Sequence, residues 1–113
     1  MDSEEEIEYE AEEFCIAGMQ VQIQTISFLP IEQLLQLETK SEEISGQRVW
    51  TGSLMLCAYL LQHRAEVTGR NILELGSGSG IAGIVAQKLG AKVCYTDADP
   101  KSLELLQTNV TSN

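Results

Sequence analysis

The residues best placed to do chemistry lie in Asn71-Ile72-Leu73-Glu74-Leu75-Gly76-Ser77-Gly78-Ser79-Gly80, with Asp97 following 21 residues after Gly76. An apolar run enters a glycine turn, the turn opens an amphipathic stretch, and the next apolar run ends on an acid. Glycines there allow a tight bend and close approach of the backbone to a ligand, because a Cβ would intrude. A carboxylate at the tip of the second strand can accept hydrogen bonds from two neighbouring ribose hydroxyls. The spacing is close to that expected between the glycine turn and the acid of a nucleotide-cofactor unit.

Two ligand chemistries compete for this geometry. Gly78-x-Gly80-x-x-Gly83 satisfies a dinucleotide fingerprint as a bare pattern, which is weak by itself. Glu74 argues against a dinucleotide, because a carboxylate two residues before the first glycine repels a pyrophosphate. The same charge suits a ligand carrying an ammonium and a sulfonium, which describes S-adenosylmethionine. A structural role remains open for Glu74, as a partner to the following turn or to a lysine. Asp99 precedes Pro100 and reads as a helix N-cap with proline at the first helical position. That leaves Asp97 for the ribose.

The elements that must position these residues follow from periodicity. Gln20, Gln22 and Gln24 alternate with Val21, Ile23 and Thr25, the period of a half-buried strand. Phe14 to Ile26 is predicted as a strand or hairpin, Pro30 ends it, and residues 31–38 form a short helix or an extended piece. Residues 40–46 are polar loop. A helix is expected over 51–63 with Leu54, Cys57, Ala58 and Leu61 on one stripe. Strand 71–75, helix 80–89 (Ile81, Ile84, Val85 and Leu89 on one stripe), strand 92–96 and helix 100–111 complete the order.

Glu74-x-Gly76-x-Gly78-x-Gly80 with Asp97 resembles the first motifs of the class I, seven-β-strand S-adenosylmethionine-dependent methyltransferases. Val49-Trp50, small residues, an apolar helix, Gly69 and Ile72-Leu73-Glu74-Leu75-Gly76 narrow the resemblance to the protein-lysine methyltransferase group, over residues 46–113 with a weaker match at 14–26. The resemblance implies a Rossmann-like α/β fold and S-adenosylmethionine as cofactor, bound by Trp50, Glu74, Gly76, Ser77, Gly78, Gly80 and Asp97. It also implies lysine side chains of other proteins as methyl acceptors. Trp50 has an alternative role as a core aromatic. A complete domain of this kind has roughly 200 residues or more, so the chain is expected to stop after the second βα unit and to be inactive alone. The catalytic residues would then lie downstream. Other readings are a non-catalytic truncated isoform or pseudoenzyme acting as a binding module, and an NAD-dependent oxidoreductase fragment.

Composition limits the rest. The 113 residues allow one domain, divided as an acidic disordered tail over 1–13, a connecting strand segment over 14–45 and the partial cofactor-binding domain over 46–113. The net charge of −10 is mostly that tail, where eight acids stand without a basic residue; the remainder carries nine acids and seven bases. Scattered bases give no basic patch for nucleic acid. Cys15, Cys57 and Cys94, an odd and dispersed set, are expected as three buried thiols, and His63 alone makes no zinc site. With an acidic N-terminus and no apolar run near 20 residues, a cytoplasmic protein without a membrane span is expected.

Overall fold

Two β-hairpin strands, four helices and two parallel strands make up the described part of the computed structural model, which comprises residues 9–26, 49 and 51–113. Trp50, the segment 31–38, Pro30 and the polar loop 40–46 lie outside the described residues.

Strand β1 (Tyr9–Ile16) pairs antiparallel with β2 (Met19–Ile26), Phe14 opposite Val21 and Glu12 opposite Ile23. The two-residue connection, Ala17-Gly18, has positive φ at both positions, 47° and 88°. That backbone twist matches the right-handed twist of the flanking strands. Val21, Ile23 and Thr25 are buried while Gln20, Gln22 and Gln24 face solvent, as the alternation requires. The acidic segment is shorter than expected: Tyr9–Glu13 belong to β1, not to a disordered tail. Their backbone ladder to β2 forms without burying charge, since Glu10, Glu12 and Glu13 stay exposed.

Helix α1 (Thr51–Gln62) buries Cys57 and Leu61 on the expected stripe. A single turn that periodicity did not reveal, α2 (Arg64–Val67), then buries Val67. Strand β3 (Asn71–Glu74) and strand β4 (Lys92–Tyr95) pair in parallel, with Glu74 beside Tyr95. Helix α3 (Ile81–Lys88) joins them, and helix α4 (Pro100–Ser112) follows β4. This β-α-β-α alternation is a partial Rossmann-like methyltransferase core, in agreement with the fold class read from sequence.

Helix α3 is buried on more than one stripe. Every residue from Ile81 to Ala86 is inaccessible, because the helix is packed between β4, α1 and the hairpin strand β2. Gly83 permits this. A Cβ there would collide with the Tyr95 ring and come 2.8 Å from Glu74 Oε1. The main core joins Val21 and Ile23 of β2 to Cys57 and Leu61 of α1 and to Ile81, Ala82, Ile84 and Val85 of α3. The opposite face of the β3–β4 pair carries Leu73 and Leu75, 63% and 77% exposed, beside exposed Cys94. Cys15 is also exposed, on the outer face of β1, so only Cys57 is a buried thiol. The sequence expectation of three failed because strand alternation placed two cysteines on exposed faces, which no described element covers. Among the described residues no helix is long and apolar enough to cross a membrane.

Candidate cofactor site

Between β3 and α3 the chain bends through three glycines with positive φ: Gly76 at 63°, Gly78 at 56° and Gly80 at 90°. Gly80 is the N-cap of α3 in a left-handed conformation, and a side chain there would run into Leu106 of α4. Glycine is therefore required at this position for both conformation and space. At Gly76 a Cβ would meet nothing among the described residues, which leave that part of the turn open.

The turn after β3 is stitched to the end of β4. Thr96 donates its N–H to Glu74 O at 3.0 Å and its hydroxyl to the same carbonyl at 2.6 Å. Ser77 donates its N–H to Thr96 O at 2.7 Å, and its Oγ accepts from Thr96 N–H at 3.1 Å. These bonds extend the parallel ladder beyond the strands and bring Asp97 to the turn. The Asp97 carboxylate accepts the Gly78 N–H through Oδ2 and the Asp99 N–H through Oδ1, both at 2.9 Å. A carboxylate offers about four acceptor positions, so these two bonds leave capacity for two hydroxyl donors.

Asp99 has the structural role expected from sequence. Its side chain caps α4, accepting the Lys101 N–H at 3.2 Å and the Ser102 hydroxyl at 3.0 Å, with Pro100 at the helix start. The capped helix begins beside Asp97, so cap and candidate ribose ligand form one unit.

Glu74 lies beneath the turn, with its side chain near Gly83 and Tyr95. Burial pushes its carboxyl above the usual carboxylate range, opposed by the nearby Ser77 hydroxyl and Gly83 N–H. Neither reaches Oε1 in hydrogen-bond geometry, and this buried oxygen has no partner among the described residues. Such an atom is costly to keep unless a ligand or another group compensates it. Burial and the Glu74 charge together push the Cys57 thiol up to about 11 and the Tyr95 phenol up to about 12. Both groups stay neutral at physiological pH.

The structure thus brings Glu74, Gly76, Ser77, Gly78, Gly80 and Asp97 into one turn, while Trp50 lies outside the described residues. Sequence reading missed Thr96 and Asn109. Thr96 was hidden as an ordinary strand residue. The signal for Asn109 was present as asparagine at 109 and 113, one helical turn apart, the first on α4 and the second its C-cap. Among the described residues no cluster of three or more histidine, cysteine or acidic side chains could hold a metal ion.

Comparison with known proteins shows the family. The sequence model described as lysine methyltransferase matches residues 31–113. Protein N-lysine methyltransferase METTL21A of Danio rerio is 43% identical over 65 residues, covering 58% of this chain and 29% of that protein. EEF1A lysine methyltransferase 3 of Xenopus tropicalis is 40% identical over 65 residues, again 58% and 29%. Methyltransferase-like protein 22 of Mus musculus is 38% identical over 87 residues, 77% of this chain and 21% of that protein. The chain therefore matches less than a third of the length of these relatives.

Proposed function

Because the chain belongs to the lysine methyltransferase family, we propose that it holds S-adenosylmethionine at the β3–α3 turn of an enzyme that methylates lysine side chains of other proteins. The observation carrying this reading is the buried Glu74 oxygen, without a partner among the described residues, beneath a glycine turn clasped by Asp97. A negative group there complements a cationic ligand and opposes a pyrophosphate. The open space at Gly76 and the spare acceptor capacity of Asp97 fit the same ligand.

When bound, S-adenosylmethionine supplies a methyl carbon on a cationic sulfur, the electrophile for a deprotonated lysine amine. The residues of this chain bind and orient. Asp97 would accept the ribose hydroxyls, Glu74 would balance the ligand's positive charge, and Gly76, Ser77, Gly78 and Gly80 would line the turn with backbone in place of side chains. Trp50 is proposed to lie against the same pocket. Holding the electrophile in one orientation contributes to rate by removing the entropy cost of alignment. Restricting water around the target amine would favour its neutral, nucleophilic form.

Calorimetric titration tests the assignment. Saturable binding of S-adenosylmethionine with no binding of NAD is expected, and NAD binding without S-adenosylmethionine binding would overturn it.

A further inference from the structure

Helix α4 touches the glycine turn from behind at two points one helical turn apart. Leu106 occupies the space a Gly80 side chain would need. Asn109, 1% exposed, donates from Nδ2 to Ser79 O at 2.8 Å. The second Nδ2 hydrogen goes to Gln24 O at 3.2 Å, and Oδ1 accepts the Gln24 N–H at 2.8 Å. One buried amide therefore joins the N-terminal hairpin, the turn and α4. The Ser79–Gly80 peptide is tied at both ends, since the Gly80 N–H donates to Ser77 O at 2.9 Å.

Asn113 supplies an internal comparison. It pairs with Gln22 as Asn109 pairs with Gln24, accepting the N–H at 3.0 Å and donating to the carbonyl at 2.7 Å. Its remaining hydrogen goes to Asn109 O at 2.7 Å, within the helix, and not to the turn. Both asparagines act as a surrogate neighbouring strand for the outer edge of β2, Asn109 pairing part-buried groups of Gln24 and Asn113 pairing exposed groups of Gln22. Capping the edge therefore accounts fully for Asn113. It leaves the bond from Asn109 to Ser79 unexplained, because an edge cap has no need of the turn.

We propose that Asn109 is a positioning residue for the cofactor turn, holding the Ser79–Gly80 peptide in its ligand-ready orientation and making the N-terminal hairpin part of the cofactor site. The inference rests on the reading that this turn binds S-adenosylmethionine. It acts through Ser79 and Gly80, without contact between Asn109 and the ligand. Other turns could close on Gly80 with the Ser79 carbonyl pointing outward; the amide and Leu106 together select against them.

The test compares Asn109→Ala with Asn113→Ala in the whole chain, by three measurements: thermal stability, calorimetric affinity for S-adenosylmethionine, and backbone amide hydrogen exchange at Gly80. Both variants should lower stability, each losing its hairpin bonds. Only Asn109→Ala should weaken affinity by about tenfold, the scale of one buried hydrogen bond, and speed Gly80 exchange beyond the global loss of stability. Asn113→Ala should stay within about twofold of the native affinity. Parallel losses in the two variants, or native Gly80 exchange in Asn109→Ala, would overturn the proposal. Should Asn109→Ala not fold, the native chain still decides: on saturation with S-adenosylmethionine the Asn109 side-chain amide resonances should shift while those of Asn113 stay, and the reverse pattern or no shift counts against it. If the native chain binds no S-adenosylmethionine, the functional reading fails, and Gly80 exchange alone decides whether Asn109 holds the turn.

Discussion

Asp97 and Asp99 stand two positions apart and do different things because one lies at a strand end and the other at a helix start. Asp97 accepts two backbone N–H groups and so braces the turn, and the proposed function gives it the ribose hydroxyls as well. Asp97→Ala should weaken S-adenosylmethionine binding by about 1–3 kcal/mol, the range for hydrogen bonds to a charged group. Asp99→Ala should lower stability by about 1 kcal/mol through the lost cap and leave affinity nearly intact. Calorimetry beside thermal melts separates them, and equal affinity losses would show the wrong acid has been assigned. Glu74 carries the opposite trade. Its pKa is raised in the folded state, so the native protein binds more protons than the unfolded chain between the ordinary value of 4.5 and the higher folded one. Stability therefore falls as pH rises through that window and stays reduced above it. Glu74→Gln should raise the melting temperature at pH 7, lose that advantage below about pH 4.5, and weaken cofactor binding. Melting curves at several pH values check the first two outcomes.

At the scale of elements, α3 shows why residue patterns read one helix at a time fall short. Its sequence has a clear stripe, yet six successive residues are buried because the hairpin and α1 cover the sides that the sheet does not. Helix propensity alone favours Gly83→Ala by about 1 kcal/mol. The collision with Tyr95 and the closeness to Glu74 oppose it, and overpacking in a filled core typically costs about 1–3 kcal/mol. The packing effect should win, giving a less stable protein in denaturant melts; a more stable Gly83→Ala would mean α3 can lift away from β4 freely. The acidic start of β1 makes the reverse point. Runs of acids suggest disorder, but Glu10, Glu12 and Glu13 form strand because pairing needs only their backbone and leaves each charge in water.

For the whole molecule, the two faces of the β3–β4 pair differ sharply. One is closed over by α3; the other leaves Leu73, Leu75 and Cys94 open. Cys94 and Cys15 should react with a thiol reagent in the native protein, whereas Cys57, buried and pushed up to about 11, should react only on unfolding. Mass spectrometry of labelled peptides checks this, and rapid native labelling of Cys57 would mean the α1–α3–hairpin core opens readily.

What the sequence by itself determined were the features set by local chemistry. The order of strands and helices from Thr51 onward (the single turn α2 apart), the glycine turn, the Asp99-Pro100 cap and the hairpin alternation each follow from a short run of residues whose conformational preferences agree with their neighbours. The capping role of Asp99 was legible for the same reason, and it left Asp97 as the candidate acid. Tertiary structure decided whatever depended on residues distant in the chain. Thr96 becomes a brace only when β3 and β4 lie in register. The lack of a side chain at Gly83 matters only when Tyr95 arrives beside it, and Cys15 and Cys94 are exposed because no described element covers their faces. Asn109 joins Gln24 and Ser79, which lie 85 and 30 residues away. A side-chain amide has no periodicity of its own and takes its meaning from whatever backbone the fold sets before it.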